Sequence, residues 1–306
     1  MTAILADCIN KKFGDLQAVK NVSLKVDKGT VFGFLGPNGA GKTTTMRVLT
    51  GILRPDSGTV HINGLDIVKD PISAKKNFGV IPENSSVYGD LTAEENILLT
   101  GKFYGISGRE GKERAEELLD TMGLLDRRDS PVKKFSKGMK QRISIASAIV
   151  HNPEILFLDE PTEGLDIQSK KMIYKTINDI RKDGRTVFIT THNIEEANNL
   201  CGVVGIINKG SIVSVDRPEV LKSTSDTTRS VEVSFNEEAE KGWFESDLVS
   251  RIDSYGDKLR FYTGDTDSVI KDITKVAAER KLTISSLNTS GPSLEETFLK
   301  LTGGSL

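Results

Sequence analysis

Cysteine is almost missing from this 306-residue chain: Cys8 and Cys201 are the only two, and no Cys-x-x-Cys unit exists. That excludes a disulfide framework and a zinc–thiolate cluster, and it fits a reducing compartment. Histidine is equally scarce, with His61, His151 and His192 too widely spaced for a metal motif. No apolar run approaches the roughly 18 residues that span a bilayer, and the start, Met1-Thr2-Ala3, lacks the basic and apolar segments of a leader. The expectation is a cytoplasmic chain that does not cross a membrane unaided. Neither charge is in excess, since 41 Lys and Arg stand against 43 Asp and Glu for a formal net charge of −2. This excludes the basic character of a nucleic-acid binder, and no nucleic-acid partner is expected.

Glycine, in contrast, is concentrated where it has a use. Gly36-Pro37-Asn38-Gly39-Ala40-Gly41-Lys42-Thr43-Thr44 follows the apolar stretch Val31 to Leu35 and precedes a helix-like run, Thr44 to Thr50. Strand, glycine loop and helix in that order make a P-loop, whose bare backbone N–H groups converge at a positively polarised helix start and bind a polyphosphate. Lys42 is expected to reach the β- and γ-phosphates, and the Thr43 hydroxyl to ligate Mg²⁺.

The chain is long enough for two domains. Short β-like runs at Ala3 to Ile9, Val19 to Val26 and Gly58 to Ile62 surround the loop and predict a mixed β region. From Thr92 to Thr121 the spacing becomes helical, broken by Gly105 and Gly108, which predicts an inserted helical subdomain over about 90–150. Then come a helix at Lys137 to Val150, a strand at Ile155 to Leu158, a helix after Asp166, a strand at Thr186 to Thr190 and a helix near Asn193. Strands alternating with helices imply an α/β fold with a parallel sheet. The polar stretch Ser223 to Thr228 reads as a linker between a first domain over 1–222 and a second over 229–306. In the second domain the predicted order is strand (Ser230 to Phe235), helix (Glu237 to Phe244), strand (Leu248 to Ile252), strand (Lys258 to Tyr262), helix (Asp267 to Arg280), strand (Leu282 to Leu287) and a terminal helix from Ser293. That βαββαβ order is ferredoxin-like, a small α+β scaffold that fixes no function.

A P-loop alone leaves kinases, GTPases and many ATPases open, so the second carboxylate site matters. Ile155-Leu156-Phe157-Leu158 reads as a strand buried on both faces that delivers Asp159 and Glu160 to the carboxyl edge of the sheet, where such folds bind ligands. Asp159 is expected to hold Mg²⁺, and Glu160 to orient or deprotonate the attacking water. Between the two nucleotide motifs lies Phe135-Ser136-Lys137-Gly138-Met139-Lys140-Gln141-Arg142. By its residues this is an N-capped, basic, amphipathic helix.

It also resembles the signature of the ATP-binding cassette (ABC) family, usually Leu-Ser-Gly-Gly-Gln, with Lys137 in place of the first glycine, Met139 in place of the glutamine, and Ser136 and Gly138 retained. Further matches keep the family order: Gly164-Leu165-Asp166 resembles the D-loop, and Thr190-Thr191-His192 the switch histidine that contacts the γ-phosphate. Phe13 stands at the place of an adenine-stacking aromatic. Val80-Ile81-Pro82-Glu83 aligns with the Q-loop, with Glu83 in place of glutamine. The likeness covers residues 3 to about 222, and Pro292-Ser293-Leu294-Glu295-Glu296-Thr297-Phe298 resembles the tail of ATPases of the drug, lipid and polysaccharide exporter branch, of the daunorubicin-resistance type.

What the resemblance implies is an ATPase whose two copies, or one copy and a paralogous cassette, pair head to tail around ATP, with Ser136 and Gly138 acting in trans. Such a subunit powers a separate integral membrane permease from the inner face of the cell membrane. The competing reading is a cassette ATPase of DNA repair, chromosome organisation or translation. Chromosome-type heads separate the two motifs by a long coiled coil, which this sequence lacks.

Overall fold

The computed structural model describes residues 1–83, 86–224, 229–291 and 293–304. The chain divides into two compact units, Met1–Arg217 and Pro218–Leu306. The first opens with a long hairpin, β1 (Thr2–Phe13) and β2 (Leu16–Asp27), paired from Thr2↔Asp27 to Phe13↔Leu16. A bulge at Cys8, whose φ is +49°, lets β1 bend and run four residues past the expected end at Ile9. Phe13 is therefore carried to the hairpin tip.

The chain continues through β3 (Val31–Leu35), α1 (Lys42–Leu49), β4 (Ser57–Ile62), β5 (Leu65–Asp66), α2 (Pro71–Lys75) and β6 (Phe78–Ile81). Three helices follow: α3 (Ala93–Phe103), α4 (Gly108–Thr121) and α5 (Lys137–Ile149). Thr92 and Glu95 form a reciprocal capping box that starts α3; Gly105, at positive φ, lies between α3 and α4, and Gly108, also at positive φ, begins α4. The unit then alternates through β7 (Ile155–Asp159), α6 (Ile167–Lys182), β8 (Thr186–Thr191), α7 (Ile194–Leu200), β9 (Val203–Asn208) and β10 (Ser211–Asp216).

Two sheets result. One is antiparallel, in the order β2-β1-β4-β5, and the other has the order β10-β9-β3-β8-β7-β6. In the latter β9, β3, β8, β7 and β6 are parallel, and β10 is antiparallel to β9. Strands β3, β7 and β8 are buried along their whole length, the mark of a parallel sheet covered on both faces. Phe32, Phe34, Phe157 and Phe188 share one core with Ile4, Ile9 and Val22 of the hairpin and with Met46 and Leu49 of α1. That shared core fixes the hairpin against the helix that follows the glycine loop.

The second unit holds α8 (Pro218–Thr224), β11 (Arg229–Phe235), β12 (Arg251–Tyr255), β13 (Lys258–Thr263), α9 (Thr266–Arg280), β14 (Ile284–Ser290) and α10 (Leu294–Thr302). Its sheet is antiparallel throughout, in the order β12-β13-β11-β14. Val231, Val233 and Phe261 of the sheet pack on Val269 and Ile273 of α9.

Three expectations change here. The helix anticipated over Glu237 to Phe244 is only a 3-10 turn at Lys241–Phe244, where Phe244 reaches the core and stacks on Phe235 at 5.4 Å. The strand anticipated from Leu248 begins at Arg251. The division between units falls before α8 and not after residue 222, because α8 packs with α10, where the Thr297 hydroxyl donates to the Leu221 carbonyl at 3.2 Å. Of the anticipated linker, 225–228 lie outside the described residues, as does Pro292 of the C-terminal motif. Among the described residues no helix is long and apolar enough to cross a membrane.

Candidate functional site

The glycine loop joins β3 to α1 at the carboxyl edge of the parallel sheet. A Cβ on Gly36 would lie 2.5 Å from the Ile207 carbonyl oxygen, and one on Gly41 2.4 Å from that of Ala18. Gly41 also has φ +104°. Both positions therefore admit glycine alone. No side chain caps α1, so its first N–H groups face the loop as an anion-binding end.

Above the loop opens a cavity of about 740 Å³ lined by Phe13, Gln17 and Lys20 of the hairpin, Asn38, Gly39, Gly41, Lys42, Thr43 and Thr44 of the loop and helix, and Glu83, Glu160, Glu163 and Lys209. Phe13 is 47% exposed there, with the Lys11 ammonium 5.9 Å from its ring centre.

The floor of the site is a chain of charge-assisted contacts. Lys42 Nζ donates to the carbonyls of Gly36 at 2.8 Å and Pro37 at 3.2 Å, and stands 3.1 Å from Glu160 Oε1. The other carboxylate oxygen, Glu160 Oε2, is 2.9 Å from His192 Nδ1 and accepts from the His192 backbone N–H at 3.3 Å. Glu160 adopts φ +47°, a sharp turn at the end of β7, and its own N–H donates to the Thr190 carbonyl at 3.1 Å. Beside it, Asp159 Oδ1 accepts from the Thr43 hydroxyl at 3.2 Å and from the Thr190 hydroxyl. Thr43 and Asp159 thus offer two hard oxygen donors side by side, the donor chemistry that suits a small divalent cation. Among the described residues no three His, Cys, Asp or Glu side chains gather as a complete metal cage.

Of the residues singled out from the sequence, Phe13, Asn38, Gly39, Gly41, Lys42, Thr43, Thr44, Glu83 and Glu160 line one cavity. Gly36, Pro37, Asp159 and His192 touch its lining residues through the bonds just described, and the Pro37 carbonyl accepts from the Ala40 N–H at 3.1 Å. Ser136, Gly138 and Asp166 are elsewhere. Ser136 caps α5 by accepting from the Met139 N–H at 3.2 Å. Asp166 caps α6, and the Ser169 N–H and hydroxyl, at 2.9 and 2.7 Å, hold its carboxyl below the usual range. Gln17, Lys20, Glu163 and Lys209 also line the cavity, and nothing local in the sequence marks them.

Gly138 has a structural duty of its own. A Cβ there would sit 2.2 Å from Ser169 Oγ and 2.7 Å from its Cβ, so α5 and α6 meet only because this position is bare. Gly138→Ala is expected to destabilise the protein by about 1–3 kcal/mol through overpacking. Denaturant unfolding checks this, and Ser169→Gly in the same chain should recover most of the loss. An unchanged midpoint for Gly138→Ala would show that the helices separate freely.

Residues 19–163 match the family model described as ABC transporter. The linearmycin resistance ATP-binding protein LnrL of Bacillus subtilis is 36% identical, covering 98% of each chain. The daunorubicin resistance ATP-binding protein DrrA3 of Streptomyces coeruleorubidus is 31% identical over 99% of this chain and 96% of its own. The Nod factor export ATP-binding protein I of Cupriavidus metallidurans is 34% identical over 99% and 98%. A solved ATP binding subunit of an ABC transporter matches with a TM-score of 0.66 at 28% identity, covering 72% of this chain and 92% of its own. With the glycine loop, the Asp159-Glu160 strand end and His192 gathered at one sheet edge, and with relatives matching from end to end, the chain belongs to the ABC transporter family, among the ATP-binding proteins of its drug-resistance and export branch.

Proposed function

We propose that this protein hydrolyses ATP at the sheet edge and passes the resulting motion to a separate membrane-embedded permease that exports a substrate. The observation that carries the reading is the Glu160 carboxylate, held 3.1 Å from the Lys42 ammonium and 2.9 Å from the His192 ring directly beside the glycine loop. In this reading the loop amides and Lys42 bind the β- and γ-phosphates, and Phe13 stacks on the adenine, an interaction typically worth about 1–3 kcal/mol. Thr43 and Asp159 would hold Mg²⁺, which when bound would neutralise charge on the phosphate oxygens. Glu160 accepts the proton of the attacking water, and His192 keeps that carboxylate aimed while facing the γ-phosphate. Glu83, in the Q-loop position, brings a carboxylate to the cavity wall.

Ser136 and Gly138 begin α5, and a helix N-terminus complements an anion. They lie away from their own cavity, as the trans role requires: they serve the ATP of a second cassette, and Asp166 lies at that contact. ATP is then the bridge of a dimer, of two copies or of this chain with a paralogous cassette, and hydrolysis removes the bridge. The location that follows is the inner face of the cell membrane, where the chain attaches as a peripheral subunit. The second unit reads as a ferredoxin-like variant, supported by its strand order and its antiparallel directions, with the first crossover helix reduced to a 3-10 turn.

The test is recovery of the tagged chain from native membranes in mild detergent. A polytopic integral membrane protein should co-purify and, reconstituted in vesicles, should change the ATPase rate of the subunit. Recovery with ribosomes or nucleic acid, and no membrane partner, overturns the transport reading.

A further inference from the structure

Glu196 lies on α7, one turn past His192, and is 2% exposed. Its Oε1 accepts from the Thr162 hydroxyl at 2.8 Å. Its backbone N–H is capped by Asn193 Oδ1 at 3.0 Å. Thr162 is two positions beyond Glu160, and Thr191 immediately precedes His192. One interior carboxyl therefore joins the segment that carries Glu160 to the segment that carries His192, from behind the pair those two residues make. A carboxyl is a costly group to place in an interior, and an apolar side chain of similar volume would pack at least as favourably. Stability alone does not call for it.

We infer that Glu196 is a positioning residue: by tying Thr162, just beyond Glu160, to the helix that follows His192, it holds the Glu160 carboxylate and the His192 ring in the register that water attack requires. The inference rests on the reading of Glu160 and His192 as the hydrolytic pair. Three sets of contacts fix that register: the bonds of the Glu160 carboxylate to the His192 ring and backbone N–H at 2.9 and 3.3 Å, the bonds of the Glu160 N–H to the Thr190 carbonyl and hydroxyl at 3.1 and 3.2 Å, and the Glu196 bridge. Only the third ties side chains that stand behind both catalytic residues. A shift of about 1 Å at reacting groups can cost on the order of 10²-fold in rate, so a buried bridge at this place acts on turnover before it acts on binding.

Lys170 and Tyr174 of α6, Glu195 and Cys201 of the α7 region and Glu160 itself face this neighbourhood. Burial pushes Glu196 above the ordinary carboxylate range and Glu160 adds to that, whereas the nearby hydroxyls of Thr191 and Thr162 and Lys170 oppose it. Glutamine keeps the shape of the side chain and a carbonyl oxygen to accept from Thr162, so it is the variant that preserves the bridge.

Three variants test this, with steady-state ATPase and thermal midpoint measured on the full chain. Glu196→Leu should lower kcat by about 10–100-fold with KM for ATP changed by less than about 3-fold, and Glu196→Gln should recover kcat to within about 3-fold of the parent. Thr162→Val, which removes the bridging hydroxyl and little volume, should lower kcat in the same sense, and it decides the matter if Glu196→Leu does not fold. The inference is overturned by parental kcat in Glu196→Leu or, should that chain not fold, in Thr162→Val. It is overturned equally by a glutamine variant as slow as the leucine one, or by a rise in KM matching the fall in kcat. Glu160→Gln measured alongside separates the two levels. If it is inactive while Glu196→Leu keeps its rate, only the bridge fails; if it too keeps its rate, the hydrolytic assignment fails.

Discussion

Replacing Glu160 with glutamine lowers ATP turnover by about 10²–10⁴-fold, the loss expected when a positioned general base is removed. The substitution keeps the side chain's shape in a site where Glu160 is only 9% exposed, so the strand end and the glycine loop stay in place. Oxygen Oε2, which now faces His192 Nδ1 and the His192 N–H, is replaced by a group that cannot take a proton from water, or is turned away as the amide reorients. Binding of ATP survives, because the loop amides and Lys42 are untouched. The bridge between cassettes then persists, and a species of twice the subunit mass accumulates with ATP and not without it. Phosphate release, equilibrium nucleotide binding and mass by light scattering report the three effects separately. Turnover near the parental rate would falsify the assignment of the base.

Lys42→Ala acts on binding itself. The ammonium stands on the floor of the site, is 6% exposed, and already holds the Gly36 and Pro37 carbonyls together with Glu160. Charge-assisted hydrogen bonds to phosphate are each worth roughly 1.5–3 kcal/mol, so ATP affinity falls by about 10²-fold. A second effect accompanies it. Removing one partner of a buried ion pair leaves an uncompensated charge, at about 3–5 kcal/mol when no other partner remains, and here His192 remains, so the stability loss is near or below the lower end. Lys42→Ala with Glu160→Gln should therefore recover stability without recovering binding. Titration calorimetry with ATP and denaturant unfolding on the two chains check this. Unchanged affinity in the single variant gives the lysine a different role.

Both results concern residues that the sequence alone brings forward, and the reason is local. A glycine loop between an apolar run and a helix, or an apolar strand ending in two acids, is written in consecutive residues, since backbone freedom, caps and hydrophobic period act over a few positions. The same holds for α3 and α10, placed from helical spacing at Thr92 and a helix start at Ser293, where the structure closes each end with a capping box to Glu95 and Glu296. Where a local signal met a competing contact it misled. Residues 237–244 look helical, yet Phe244 is drawn into the sheet's core and only a 3-10 turn forms. Polar Asn10-Lys11-Lys12 looks like the end of a strand, yet cross-strand pairing with β2 continues β1 to Phe13.

The order of residues by itself determined the loop that cradles phosphate, the acidic strand end and the alternation of strands and helices, because each depends on interactions between near neighbours. Only the tertiary structure decided that Gly41 must be glycine because the Ala18 carbonyl presses on it, that Gly138 lets two helices touch, that α8 joins the second unit, and that Glu196 stands behind Glu160 and His192. These are contacts between segments distant along the chain. No local propensity encodes them, and they exist only once strand order and core packing have brought those segments together.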